Sequence, residues 1–82
     1  FKVFELCKAM AEEGNPNSVS DAGVGVLAAR AAVLGAGLNV KINASGLKDR
    51  ETADKLVGEA NELIKKANEL EAEIMKIVEE KL

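Results

Sequence analysis

Eighty-two residues make one domain or a piece of one, and a lone chain of this size buries only about 60–65% of the surface its unfolded form exposes. The core must be aliphatic, because there are two Phe and no Trp, Tyr or His; without His there is no imidazole base and no His-ligated metal site. A net charge of −3, no long basic run and no aromatic stacking platform argue against a nucleic-acid partner, and the lone Cys7 permits no internal disulfide, which fits a reducing, cytoplasmic setting.

The chain opens in helical register, with Phe1, Phe4 and Cys7 or Lys8 at helical spacing and no n-region or cleavage signature of a secretory leader. It reads as the continuation of something upstream. A first helix is expected over residues 1–13, with Val3, Leu6, Cys7 and Met10 as its apolar face. Gly14 is a natural left-handed cap, and Asn15-Pro16-Asn17 cannot prolong the helix.

A second helix is expected from Ser18 or Ser20, either hydroxyl serving as cap, to about Ala44, with Gly46 as the stop. Asp21 would lie in its first turn, where the helix dipole favours a carboxylate. Between Asp21 and Lys41 the only charge is Arg30. Ala22, Gly25, Ala29, Ala32 and Ala36 form a seam of small residues, with Val24, Leu27, Leu34 and Leu38 on another side. A helix apolar all round belongs in an interior, and its glycines suit close backbone approach. Residues 22–40 are long enough to cross a bilayer, but a central Arg30 and the absence of aromatic belts argue against a membrane.

A third helix should run from a cap at Asp49 to the end. Ala53, Leu56, Ala60, Leu63, Ala67, Leu70, Ile74 and Ile77 keep a heptad seam, widened by Val57, Ile64 and Val78. Its Glu and Lys residues read as a solvated face. At 1.5 Å per residue it would be about 50 Å long, against about 30 Å across a compact body of this size. The expected architecture is therefore an all-α antiparallel bundle, three helices in one domain over residues 1–82, completed by association with further helices.

The run Gly14-Asn15-Pro16-Asn17-Ser18-Val19-Ser20-Asp21-Ala22, the stretch from Ala28 to Ala36, and Leu38-Asn39-Val40-Lys41-Ile42-Asn43 resemble the folate cyclodeaminase/cyclohydrolase family. The resemblance covers roughly residues 1–50. It implies an all-helical homodimer or higher oligomer acting, without a metal, on one-carbon units of tetrahydrofolate. Formimino-tetrahydrofolate would close to the methenyl ring with loss of ammonia, or methenyl-tetrahydrofolate would take up water and open to the formyl form. The family pattern extends upstream to a glycine-rich segment that these residues lack, so the chain is expected to be the C-terminal part of a larger domain.

Both reactions move protons, and Asp21 is the candidate acid/base, standing where a loop meets an apolar helix. The alternative is a first-turn carboxylate serving the dipole alone. Asn17, Ser18 and Ser20 are candidates to hydrogen-bond a pterin, or else cap the helix and its turn. Asn39 and Asn43 share a helix face one turn apart; they either bond to other helices or line a pocket. Lys41 and Arg30 are candidates for the carboxylates of a folate tail, with a structural counter-charge the favoured role for Arg30. Cys7 reads as inert packing. A competing interpretation takes the heptad seam alone, as a non-catalytic association module.

Overall fold

The computed structural model describes residues 1–82. It has three helices and no strand: α1 (Lys2–Glu13), α2 (Pro16–Ser45) and α3 (Arg50–Lys81). Gly14 ends α1 at φ +80°, the left-handed conformation in which glycine carries no Cβ penalty. The next helix starts two residues later, before either serine. Asn15 is the cap, its side chain accepting from the Asn17 N–H at 3.0 Å, and Pro16 takes the first helical position, where its missing N–H goes unneeded. Ser18 and Ser20 therefore lie inside α2 and cap nothing. Gly46 closes α2 through its N–H to the Asn43 carbonyl. Asp49 caps α3, accepting from the N–H groups of Glu51 and Thr52 and from the Thr52 hydroxyl.

The helices pack as an elongated rod of 51 × 17 × 14 Å. α3 does not overhang a compact body. The four internal glycines leave α2 unbroken over 30 residues, so it runs beside the 32 residues of α3. Arg30 on α2 bonds to Asn68 on α3. A Cβ on Gly23 would rest 3.4 Å from Val78, and one on Gly37 would come within 2.7 Å of Ile64. These neighbours fix the two helices as antiparallel. α1 runs parallel to α3: Lys66 lies over the Phe1 ring, Lys8 pairs with Glu73, and Lys81 reaches the Glu12 carbonyl. With only 12 residues, α1 covers only the half of α3 that follows Lys66.

In that covered half sits the core: Phe4, Cys7 and Ala11 from α1, Val19, Ala22 and Val26 from α2, and Ala67, Ile74 and Val78 from α3. The buried stripe of α1 is therefore turned from the expected one. Val3 and Leu6 are 54% and 62% exposed, whereas Phe4 and Ala11 are buried with Cys7. Two apolar stripes overlap on this short helix. Cys7 and Met10 of the expected face do lie toward the core, joined by Phe4 and Ala11 rather than Val3 and Leu6, and α1 approaches so closely that a Cβ on Gly25 would stand 3.0 Å from Cys7 Sγ.

The heptad seam of α3 divides in two. Ala53, Ala60, Ala67 and Ile74, seven residues apart, are all buried. The intervening positions depend on α1. Leu70 and Ile77 pack against the core, while Leu56 and Leu63 are 37% and 49% exposed. The outer face of α2 is open as well, with Val24, Leu27, Leu38 and Ile42 in solvent. α2 meets the length and hydropathy of a membrane span, and only 17% of its most apolar stretch is buried within this chain.

Candidate functional site at the two ends of α2

The candidate residues fall into two groups. Near the start of α2, Asn17, Ser20 and Asp21 are exposed and Ser18 is half-buried. The Asp21 carboxylate takes part in no ion pair or hydrogen bond within the chain; the only salt bridge is Lys8–Glu73. Near the other end, Asn39 and Asn43 are exposed and Lys41 is half-buried. Within this chain the two amides bond to no other helix and line neither of the two grooves walled by Glu59 and Leu63. Instead Asn43 Nδ2 donates to Asn39 Oδ1 at 3.3 Å along the helix surface. Arg30 has an amide partner rather than an acid: its Nε donates to Asn68 Oδ1 at 2.7 Å, tying the middle of α2 to α3.

A single straight helix separates the groups. Asp21 and Asn39 are 18 positions apart, about 27 Å at 1.5 Å per residue. One chain by itself does not bring them into one site. The placement is nonetheless regular. Asn17 and Asn43 stand thirteen residues on either side of Arg30, and Asp21 and Asn39 nine residues on either side. At 100° per residue, Asn17, Asp21, Gly35 and Asn39 fall on the outer side of α2, opposite buried Val19, Val26 and Gly37. Ala28, Ala31 and Ala32 lie between them and are all exposed. This face has polar groups at its tips and small residues at its centre.

The remaining titratable groups serve the fold. Burial pushes the Cys7 thiol up, which keeps it protonated and unreactive. The hydrogen bond and charge of Glu73 hold Lys8 above its ordinary range. The Thr52 hydroxyl and N–H, with that of Glu51, hold Asp49 below its own. No group of three or more His, Cys, Asp or Glu residues is placed to hold a metal ion. Sequence reasoning missed the capping role of Asn15, although Asn-Pro before a helical run signals it, and the pairing of Arg30 with Asn68. It also missed the groove beside Phe1, which depends on where α1 begins to cover its neighbours.

Three helices with open apolar faces and polar residues at both tips of the central one define an all-α bundle module. Its family follows from comparison: residues 1–62 match the model of the formiminotransferase-cyclodeaminase family, and the chain belongs to that family. The match reaches beyond the motif-bearing residues into the first half of α3. Over 81 residues the chain is 42% identical to a methenyltetrahydrofolate cyclohydrolase of Methylorubrum extorquens, an alignment covering 99% of this chain and 39% of that protein. The chain thus spans well under half the length of this curated relative. No solved structure matches it.

Proposed function

We propose that the chain serves tetrahydrofolate one-carbon interconversion, as a methenyltetrahydrofolate cyclohydrolase or a formimino-tetrahydrofolate cyclodeaminase, in a cytoplasmic homo-oligomer and as part of a larger domain. The observation that carries this reading is the pair of polar groups at the tips of α2, within the residues that match the family. In the cyclohydrolase direction, water adds to the electron-poor methenyl carbon and loses a proton. The carbon–nitrogen bond then breaks, the nitrogen takes up a proton, and the hydroxyl gives up its own proton to solvent as it becomes the formyl carbonyl. Asp21 is the group to accept the proton that water loses and return it to the nitrogen. Asn17, Ser18, Ser20, Asn39 and Asn43 supply donors and acceptors for the edge of a pterin, and Lys41 a counter-charge for a folate carboxylate.

Exposed in water, these groups would be weak catalysts, because a site gains strength by excluding solvent. A second copy supplies the closure. If two α2 helices pack antiparallel across a two-fold axis level with Arg30, the Asn17–Asp21 end of one protomer meets the Asn39–Asn43 end of its partner, twice over. Ala28, Ala31, Ala32 and Gly35 suit that close approach. Association alone, without catalysis, rests on the same open faces and predicts self-assembly indifferent to folate.

The test is calorimetric titration with 5-formyltetrahydrofolate, a stable reduced folate, alongside the solution mass. Stoichiometric binding by an oligomer, weakened by Asp21→Asn or Asn39→Ala, supports the reading. A well-folded oligomer that ignores the ligand both alone and joined to the remainder of a full-length family domain would overturn it.

A further inference from the structure

The far end of α2 is closed largely by side chains. α1 stops on Gly14 in the left-handed conformation, whereas Gly46 stays right-handed at φ −88°, so no left-handed glycine gathers the free carbonyls there. The Ser45 hydroxyl donates to the Ile42 carbonyl at 2.6 Å. Arg50, the first residue of α3, donates through Nη2 to the carbonyl of Ala44 at 3.0 Å and to that of Leu47. With the N–H groups of Gly46 and Leu47 on the Asn43 and Ala44 carbonyls, the turn that carries Asn43 is fixed to α3. Asn43 in turn fixes Asn39. Its Nδ2 donates to Asn39 Oδ1 at 3.3 Å, which holds the Asn39 amide in one orientation and occupies one lone pair of that oxygen. The second lone pair, both N–H bonds of the Asn39 amide and the Asn43 side-chain oxygen have no partner within the chain, and both side chains are exposed.

We propose that Asn39 reads the lactam edge of a 2-amino-4-oxo pterin, with Asn43 and Arg50 as its positioning residues. The inference rests on the folate reading and names what this end of the site recognises. A primary amide and a cyclic lactam match in two parallel hydrogen bonds. Asn39 Nδ2 donates to the 4-oxo oxygen, and Asn39 Oδ1 accepts from the neighbouring ring N–H. The 2-amino group beside that N–H then donates to Asn43 Oδ1. The order donor, acceptor, acceptor along α2 is the complement of the pterin's acceptor, donor, donor. Once a second copy excludes water, such a site rejects an analogue that reverses one of these groups, because a buried donor is left facing a donor. If Asn43 were free to turn, the Asn39 amide would be free to flip and offer an acceptor in place of a donor. The clamp from Arg50 through the last turn of α2 removes that freedom.

The experiment is calorimetric titration of the chain, within an otherwise complete family domain, with 5-formyltetrahydrofolate and with its 4-amino-4-deoxy analogue, which differs only at ring position 4. Wild type is expected to favour the 4-oxo compound by more than about tenfold. Asn39→Asp, which puts an acceptor where Nδ2 donated, should reverse the preference, and Asn39→Ala should reduce it to about twofold or less. Arg50→Met, at a residue that touches no ligand, should blunt the same ratio, and Arg50→Lys should restore part of it. A loss of stability alone lowers both affinities and leaves the ratio unchanged. Equal binding of the two compounds by wild type would overturn the assignment and leave the folate reading standing. So would a full 4-oxo preference retained in Asn39→Asp, Asn39→Ala or Arg50→Met. A wild type that binds neither compound would overturn both.

Discussion

The two halves of the rod are built from the same kinds of residue and reach different states. Where α1 lies against α2 and α3, nine side chains form a closed core. Where it does not, burial falls to the small residues Gly37, Ala44, Ala53 and Ala60 that face the neighbouring helix directly, and the leucines beside them stay in water. The heptad row of α3 is continuous across both halves, so the sequence alone does not distinguish them. Two helices bury one stripe each; burying a second stripe takes a third helix.

The comparison breaks most sharply at Ile74, fully buried in the closed half. Ile74→Ala is expected to cost about 2–5 kcal/mol, enough to unfold a chain this small, as circular dichroism under urea would register. Its counterpart in the open half, Leu63→Ala, should cost about 1 kcal/mol. Equal losses would mean that the open half is covered in solution.

A smaller effect separates the open faces from each other. Cβ atoms on Gly35 and Gly58 would meet nothing within 4 Å, so Gly35→Ala and Gly58→Ala should each stabilise the fold by up to about 1 kcal/mol. Only Gly35→Ala, on the outer face of α2, is expected to weaken self-association, read by sedimentation. Loss of association in both variants, or in neither, would remove the α2–α2 contact.

At the start of α2, Asn15→Ala should cost about 1 kcal/mol, while Ser20→Ala stays within about 0.5 kcal/mol. The reverse order would restore the serine cap. Smallest is the acid response of α3. Its capping Asp49 is held below its ordinary value of 3.8 by Thr52 and Glu51. The stabilisation is therefore complete at neutral pH and fades as the pH drops through and below that value. Asp49→Asn should flatten this part of the acid unfolding curve.

Three helices, their stops at Gly14 and Gly46 and the cap at Asp49 were legible because each is a local matter of periodicity and backbone freedom. The buried stripe of α1 was legible only in part, because Cys7 and Met10 are common to two stripes, one completed by Val3 and Leu6 and the other by Phe4 and Ala11, and only the packing of α2 and α3 selects the second. Asp21, Asn17 and the Asn39–Asn43 pair were legible as polar residues on an apolar helix. That they lie at opposite ends of one helix was legible too, since a single helix was expected from Ser18 or Ser20 to Ala44; that no neighbouring helix of this chain brings the two groups together was not.

Mixing two variants tests the proposed sharing of a site between copies most directly. Asp21→Asn and Asn39→Ala chains, each placed in an otherwise complete family domain, should turn over methenyl-tetrahydrofolate poorly by themselves. Refolded together in equal amounts, random dimers should recover about a quarter of the wild-type sites, since half the dimers are mixed and each of those holds one intact pair. A mixture no more active than the mean of its two components would contradict a site shared between copies.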